Sequence, residues 1–206
     1  MINDKFTEKI IIVDYGSQFT QLIARKIREC GVYSEIINFS KIKNLKKSKN
    51  KKGIILSGGP LTITKKNSAA LDNYILNLNI PILGICYGHQ ILAKKLGGKI
   101  KISKIREFGH ATVKSKSKSS ITRNFFKKNN VSVWMSHQDI VHKIPYGFKN
   151  IASSSSSKFA IIANERKKYY GIQFHPEVSH TQNGKILIKN FLFDICKIKR
   201  TWNLKK

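Results

Sequence analysis

Acidic residues are scarce in this sequence: 11 Asp and Glu stand against 39 Lys and Arg, for a formal net charge of +28. Cysteine is scarce as well. Cys30, Cys86 and Cys196 are too few for a disulfide framework, and no two are spaced as a CxxC pair. That pattern excludes the disulfide-stapled secreted scaffolds and fits a reducing compartment, so a cytoplasmic protein is expected. No apolar run approaches the roughly 18 residues of a membrane-spanning helix. Met1–Lys9 alternates polar and charged residues without the apolar stretch of a secretory signal. Membrane association is not expected.

Arginine is the third shortage. The basic residues are 33 Lys and only 6 Arg, accompanied by 31 Ile and 16 Asn. Phosphate and base recognition leans on the bidentate guanidinium fork. Lys, Ile and Asn share A- and T-rich codons and are inflated together over the whole length, which points to coding bias. No specific nucleic-acid partner is expected, although the charge itself predicts adhesion to polyanions at low salt.

What is present is enough for one domain. A chain of 206 residues with 41% hydrophobic content can bury a substantial core. Ile10–Val13 is a β-branched apolar run, read as a buried strand. Phe19, Leu22, Ile23, Ile27 and Cys30 then share a helical face that Gly31 stops. Tyr33–Ile37, Gly53–Ser57 and Pro81–Ile85 read as further strands, and Ser68–Leu78 and Gly88–Leu96 as helices. Lys41–Lys52 reads as a solvated, Lys-rich connector. Strands separated by helices imply parallel pairing. The second half offers strands at Lys99–Ile105, Ala111–Val113, Val131–Met135, Asn150–Ala152, Phe159–Asn164 and Tyr169–Phe174, with helix returning at Lys185–Ile198. Lys114–Ser120 and Ser153–Ser157 read as hairpin loops. The expected fold is α/β: an open, mostly parallel sheet flanked by helices, with extra antiparallel strands in the second half. Residues 1–9 are expected to form a tail, 10–198 the domain, and 199–206 a C-terminal end or the start of a linker.

Three short motifs carry the chemistry. Gly84-Ile85-Cys86-Tyr87-Gly88 places a cysteine between a strand and a helix, in a glycine-flanked turn that lifts the sulfur above the sheet edge. The helix N-terminus favours thiolate and a developing oxyanion. A buried structural cysteine is the competing reading. A nucleophile needs a base, and six His are available; His175-Pro176-Glu177 follows a strand and sets a carboxylate two residues from an imidazole, on the same side of an extended chain. A surface His-Pro turn, or a metal cluster of His175, Glu177 and His180, competes with that reading, although no ligand spacing supports a metal. Ser57-Gly58-Gly59-Pro60 ends another strand in a turn able to present an N–H to an oxyanion, or is an ordinary tight turn. Each motif is weak alone. Together they lie at successive strand ends, on the edge where open α/β sheets place their sites.

With these motifs the chain resembles the class I, triad-type glutamine amidotransferase domains. The shared marks are Ser57–Pro60, Gly84–Gln90 and His175–Glu177. Within that family it is similar to the GMP synthase group, through Asp14–Gln18, Arg106–Ala111, Trp134–His137, Glu177–Thr181 and Asn190–Cys196. The resemblance runs from residue 10 to about 202. It implies the class I amidotransferase fold. It implies that Cys86 attacks the carboxamide of L-glutamine, that His175 moves the protons, and that Glu177 holds His175. Backbone N–H groups of Gly59 and Tyr87 would form the oxyanion hole, and Gly58, Gln90, Ser136, His137, Gln138 and Asp139 would hold glutamine. No cofactor or metal is implied in this chain. ATP and Mg belong to an ATP-pyrophosphatase (synthetase) partner unit that would use the ammonia to convert XMP to GMP.

Two positions depart from the group: His89, where Met is common, and Gln138, where Gly is common beside the substrate. There is no Ser-Gly-Gly-x-Asp-Ser ATP loop, so the expectation is a separate subunit, a split gene product or part of a longer chain. An amidotransferase serving anthranilate or aminodeoxychorismate synthase fits Arg106–Ala111 and Val178–Thr181 poorly. A non-catalytic polyanion binder is hard to reconcile with the intact set Cys86, His175 and Glu177.

Overall fold

The computed structural model describes residues 8–203 apart from 47, 60, 61 and 64–68, so Pro60 and Ser68 of the expected elements lie outside the described residues. In chain order come β1 (Lys9–Asp14), α1 (Thr20–Glu29), β2 (Tyr33–Asn38), a 3-10 segment (Phe39–Lys46) and β3 (Lys51–Leu56). They are followed by α2 (Asn73–Asn77), β4 (Ile82–Ile85), α3 (Tyr87–Lys95), β5 (Lys99–Ser115) and β6 (Asn130–Lys143). Last come β7 (Lys149–Ser153), β8 (Ile161–Asn164), β9 (Tyr169–Ile172), α4 (Gly184–Lys189) and a π-helical turn (Asn190–Ile195).

Among the described residues the strands form one nine-stranded sheet in the order β2-β1-β3-β4-β9-β8-β7-β5-β6. The first five pair in parallel. From β9 outward the pairing is antiparallel. The continuous apolar run in β1 is explained by burial on both faces. Ile10 and Ile12 pack with Ile23 and Ile27 of α1 and Leu187 and Ile188 of α4. Ile11 and Val13 pack with Ile75 of α2 and Ile91 and Leu92 of α3. Each such side chain removed from water contributes about 1.5–3 kcal/mol, so the apolar pattern is what commits the helices to their two layers.

Four expectations are corrected. The Lys41–Lys52 stretch is not a solvated connector: its first half is helical, with Ile42 and Leu45 buried, and its end opens β3. The helix expected at Ser68–Leu78 is, among the described residues, only the short α2, capped by the Asp72 side chain accepting from the Tyr74 N–H at 2.8 Å. The two strand candidates flanking Arg106 are one 17-residue β5, and β6 continues past Met135 to Lys143. The terminal helix changes character at Asn190, whose side-chain amide donates to the carbonyls of Ile121 (2.9 Å) and Arg123 (2.8 Å). That fixed point accompanies a shift to the wider π-helical turn, seen in the Cys196 N–H bond to Phe191 O at 2.9 Å.

At the ends, β1 opens at Lys9, one residue ahead of the expected start, and Lys199 N–H reaches Glu8 Oε2 at 3.0 Å. The Thr201 and Trp202 N–H groups both donate to Gly31 O at 3.0 Å, so residues 199–203 lie against the domain. No helix among the described residues is long and apolar enough to cross a membrane.

Candidate active site

Parallel strands all deliver their carboxyl ends to the same edge, and the three motifs meet there. Residues 16–19 follow β1, 57–59 follow β3, Cys86 follows β4, and 173–177 follow β9. The β5–β6 ribbon, at the far end of the strand order, folds back over this edge. Trp134 O accepts the His175 N–H at 3.1 Å. Asp139 O accepts from Gln90 Nε2 at 2.6 Å, and Ser136 O lies 3.5 Å from Cys86 Sγ.

Cys86 occupies a sharp turn with φ 52° and ψ −106°, a backbone state rare for a residue other than glycine. Its N–H extends the β4–β9 pairing by donating to Ile172 O at 2.7 Å. Its carbonyl already accepts the Gln90 N–H of α3 at 3.2 Å. The flanking glycines make this turn possible. A Cβ on Gly84 would stand 2.5 Å from Gly88 O, and one on Gly88 would collide with Leu56 O. The sulfur thus sits at the N-terminal, positive end of α3.

His175 and Glu177 meet as the i, i+2 spacing requires, with Nδ1 2.8 Å from Oε1 and both side chains almost wholly buried. The imidazole also interacts with the Cys86 side chain, and the two line one recess. Its position is fixed further by Thr181 Oγ1, which donates to His175 O at 2.6 Å, and by the edge of the Phe19 ring at 5.0 Å. Burial opposes a charge on this ring, but Glu177 and Cys86 outweigh it and raise the His175 pKa to about 10. The ring is therefore held between a carboxylate and a sulfur, in a setting that favours its protonated form.

The sulfur borders two recesses. One, of about 250 Å³, is lined by Gly59, Thr62, Tyr87, Gln90, Phe108 and residues 136–139. The other, of about 350 Å³, is lined by residues 16–19, Gly59, Ser136 and His175. Gly59 and Tyr87, the expected oxyanion-hole residues, both border the first recess beside Cys86. So do Gln90, Ser136, His137, Gln138 and Asp139. Gly58 does not line either recess; a Cβ there would lie 3.2 Å from Ser17 Oγ and 3.4 Å from His175 Cε1, so its smallness makes room for the His175 ring.

Within the first recess the polar groups are already ordered. Asp139 Oδ2 accepts the Ile63 N–H at 2.9 Å, tying the segment after Gly59 to the pocket. His137 Nε2 lies 3.2 Å from Glu107 Oε2, its cross-strand partner. Burial pushes the Glu107 carboxyl up, but hydrogen bonds from His137, Ser156 and Ser154 outweigh this and hold it below the usual carboxylate range.

His89 is fully buried, its ring packed against Gly171. Burial, with His137 adding to it, pushes its pKa down to about 3, so it stays neutral and is not the base. His180 packs at a tilt on the half-buried Trp134, ring centroids 4.6 Å apart, beside His110 at the surface. No three His, Cys, Asp or Glu side chains converge as metal ligands among the described residues.

Sequence reasoning missed Gln173, Glu107 and Phe19. Gln173 Nε2 is 4.0 Å from the Cys86 sulfur, yet it reads only as one more residue of a strand. Glu107 and Phe19 fall within recognisable segments, but nothing in their spacing says that they turn toward the site.

Comparison with known proteins accords with this geometry. The sequence pattern of the class I glutamine amidotransferases matches residues 11–195. The chain is 47% identical over 197 residues to the glutamine-hydrolysing GMP synthase of Brachyspira hyodysenteriae, covering 96% of this chain and 38% of that one. It is 45% identical over 195 residues to that of Vibrio vulnificus, covering 95% and 37%. The chain thus spans less than two fifths of these relatives. Among solved structures it is similar to a Thermoplasma acidophilum protein provisionally described as a GMP synthase subunit. That similarity has a TM-score of 0.74 and 29% identity, over 93% of this chain and 94% of that one. Sheet order, nucleophile turn and relatives agree: the chain belongs to the class I glutamine amidotransferase family.

Proposed function

We propose that this chain is the glutamine-hydrolysing unit of a GMP synthase, acting in the cytoplasm with an ATP-pyrophosphatase unit as its partner. The observation that carries the proposal is the buried Cys86–His175–Glu177 set, with His175 hydrogen-bonded to Glu177 and facing the same recess as Cys86, in a chain 45–47% identical to GMP synthases over nearly its whole length. The Cys86 thiolate attacks the carboxamide carbon of glutamine, and the carbonyl oxygen takes up the charge against the Gly59 and Tyr87 N–H groups. The tetrahedral intermediate collapses as His175 gives its proton to the departing nitrogen, releasing ammonia and leaving a γ-glutamyl thioester. Water, deprotonated by the now neutral His175, attacks the thioester; glutamate leaves and the thiolate–imidazolium pair returns. Glu177 holds the imidazole and balances its charge. Residues 136–139 and Gln90 hold the amino-acid end of glutamine, and Gly58 gives the base its room.

The partner unit would bind ATP, Mg and XMP and consume the ammonia to form GMP. Free cysteines at all three positions support a reducing compartment. The test is ammonia release from glutamine by wild type and Cys86→Ala, alone and with a GMP synthetase unit, ATP and XMP added. Release by wild type in the presence of that unit, and none by the variant, is the expected result. Equal release by both, or none by either under any condition, overturns the proposal.

A further inference from the structure

Besides His175, a second polar side chain reaches the Cys86 sulfur. Gln173 follows β9 directly, is fully buried, and places Nε2 4.0 Å from Sγ. Its backbone is fixed by the N–H bond to Ala160 O at 2.9 Å. A buried primary amide is retained only where its hydrogen-bonding groups find partners.

The direction of this amide is dictated by a backbone carbonyl. Asp139 O accepts only, so the Gln90 atom 2.6 Å from it is the amide nitrogen. That nitrogen also lies 3.3 Å from the Gln173 side-chain amide and must meet its oxygen. The other end of the Gln173 amide, turned to the sulfur, is then the NH₂ group. Gln90 thus donates both ways, to Asp139 O and to Gln173 Oε1, and the Gln173 amide ends the series in a donor at the nucleophile.

We propose that Gln173 is a positioning residue of the amidotransferase reaction: it donates an N–H to the Cys86 thiolate and ties the nucleophile to the glutamine pocket through Gln90. The bond is charge-assisted while the sulfur is anionic and weakens when the sulfur is acylated. It therefore favours the thiolate both before attack and as the leaving group of the second step. Through Gln90, any displacement that a bound substrate causes in the pocket wall reaches the sulfur by one intervening side chain. The inference rests on the reading of Cys86 as the nucleophile.

The test is alkylation of the full chain by iodoacetamide over pH 5 to 10, with labelling of the Cys86, Cys30 and Cys196 peptides followed by mass spectrometry. A small reagent does not need the glutamine pocket, so it separates a thiolate effect from a substrate-binding one. Losing a hydrogen bond to a charged group implies that Gln173→Met labels Cys86 about tenfold more slowly at neutral pH, with its profile displaced to higher pH. Gln173→Glu keeps an acceptor for Gln90 but sets a carboxylate against the thiolate, and slows labelling further. Thermal unfolding monitors the fold; if the Met variant does not fold, the Glu variant decides. Unchanged Cys86 profiles in the folded variants overturn the role of Gln173 and leave the nucleophile reading standing. Wild-type Cys86 labelling no faster than Cys30 and Cys196 overturns both.

Discussion

Gly84 and Gly88 face each other across the nucleophile turn so closely that a methyl group on the first would lie 2.5 Å from the carbonyl oxygen of the second. Both partners are backbone, so neither yields as a side chain would. Gly84→Ala is expected to lower stability by at least about 2 kcal/mol, at or above the middle of the range for overpacking a core. Urea denaturation reads this out; a midpoint unchanged from wild type would show that β4 and α3 can separate without penalty.

A pH effect follows from the base. His175 is raised from an ordinary 6.5 to about 10 in the folded protein, so folding favours its protonated form. Its stabilising contribution is fully present below pH 6.5 and is lost as pH rises towards 10. Wild type should lose stability across this window, and Glu177→Gln, lacking the charge that raises the pKa, should show a flatter profile. Thermal midpoints taken across the window check it. Parallel profiles would mean that the pair is not charged.

Glu107 lies one layer behind the proposed glutamine pocket, against His137. Glu107→Gln keeps the size but removes the charge that holds the ring. The expected outcome is a KM for glutamine raised about fivefold to tenfold with kcat little changed, the pattern of lost uniform binding. Steady-state glutaminase kinetics with the partner unit present would show it. An equal loss in kcat alone would place Glu107 in the chemical step instead.

Asn190 offers a stability prediction away from the site. Asn190→Ala removes two hydrogen bonds and leaves the buried carbonyl of Ile121 and the part-buried one of Arg123 without this donor. A loss of about 2 kcal/mol is expected, with glutaminase activity retained. Differential unfolding against wild type measures it; no loss would mean that water replaces the amide.

Much of the sheet is legible because burial on both faces leaves no alternation to interrupt the apolar runs, as in Ile10–Val13. The nucleophile turn is legible because steric crowding allows only glycine at 84 and 88. The 3-10 segment is hidden by composition: Lys41, Lys43 and Lys46 surround Ile42 and Leu45, and a Lys-rich stretch reads as solvated although these two are buried. The continuity of β5 is hidden by Glu107–His110, where Gly109 at φ +101° looks like a break although the stretch pairs with β6. Gln173 escapes because strand periodicity says which way a side chain points, and nothing about which polar group awaits it there.

The ribbon strand β6 has a consequence for how the molecule becomes active. Its carbonyls meet Cys86 and Gln90 from 50 and 49 residues further along the chain, and Trp134 O meets the N–H of His175. The proposed nucleophile, base and substrate wall are therefore aligned by contacts that are long-range in sequence. Such contacts close late, after the entropy of the intervening loops has been overcome. During refolding, helical content should recover first and glutamine hydrolysis last, making catalytic competence itself the marker of the final topological step.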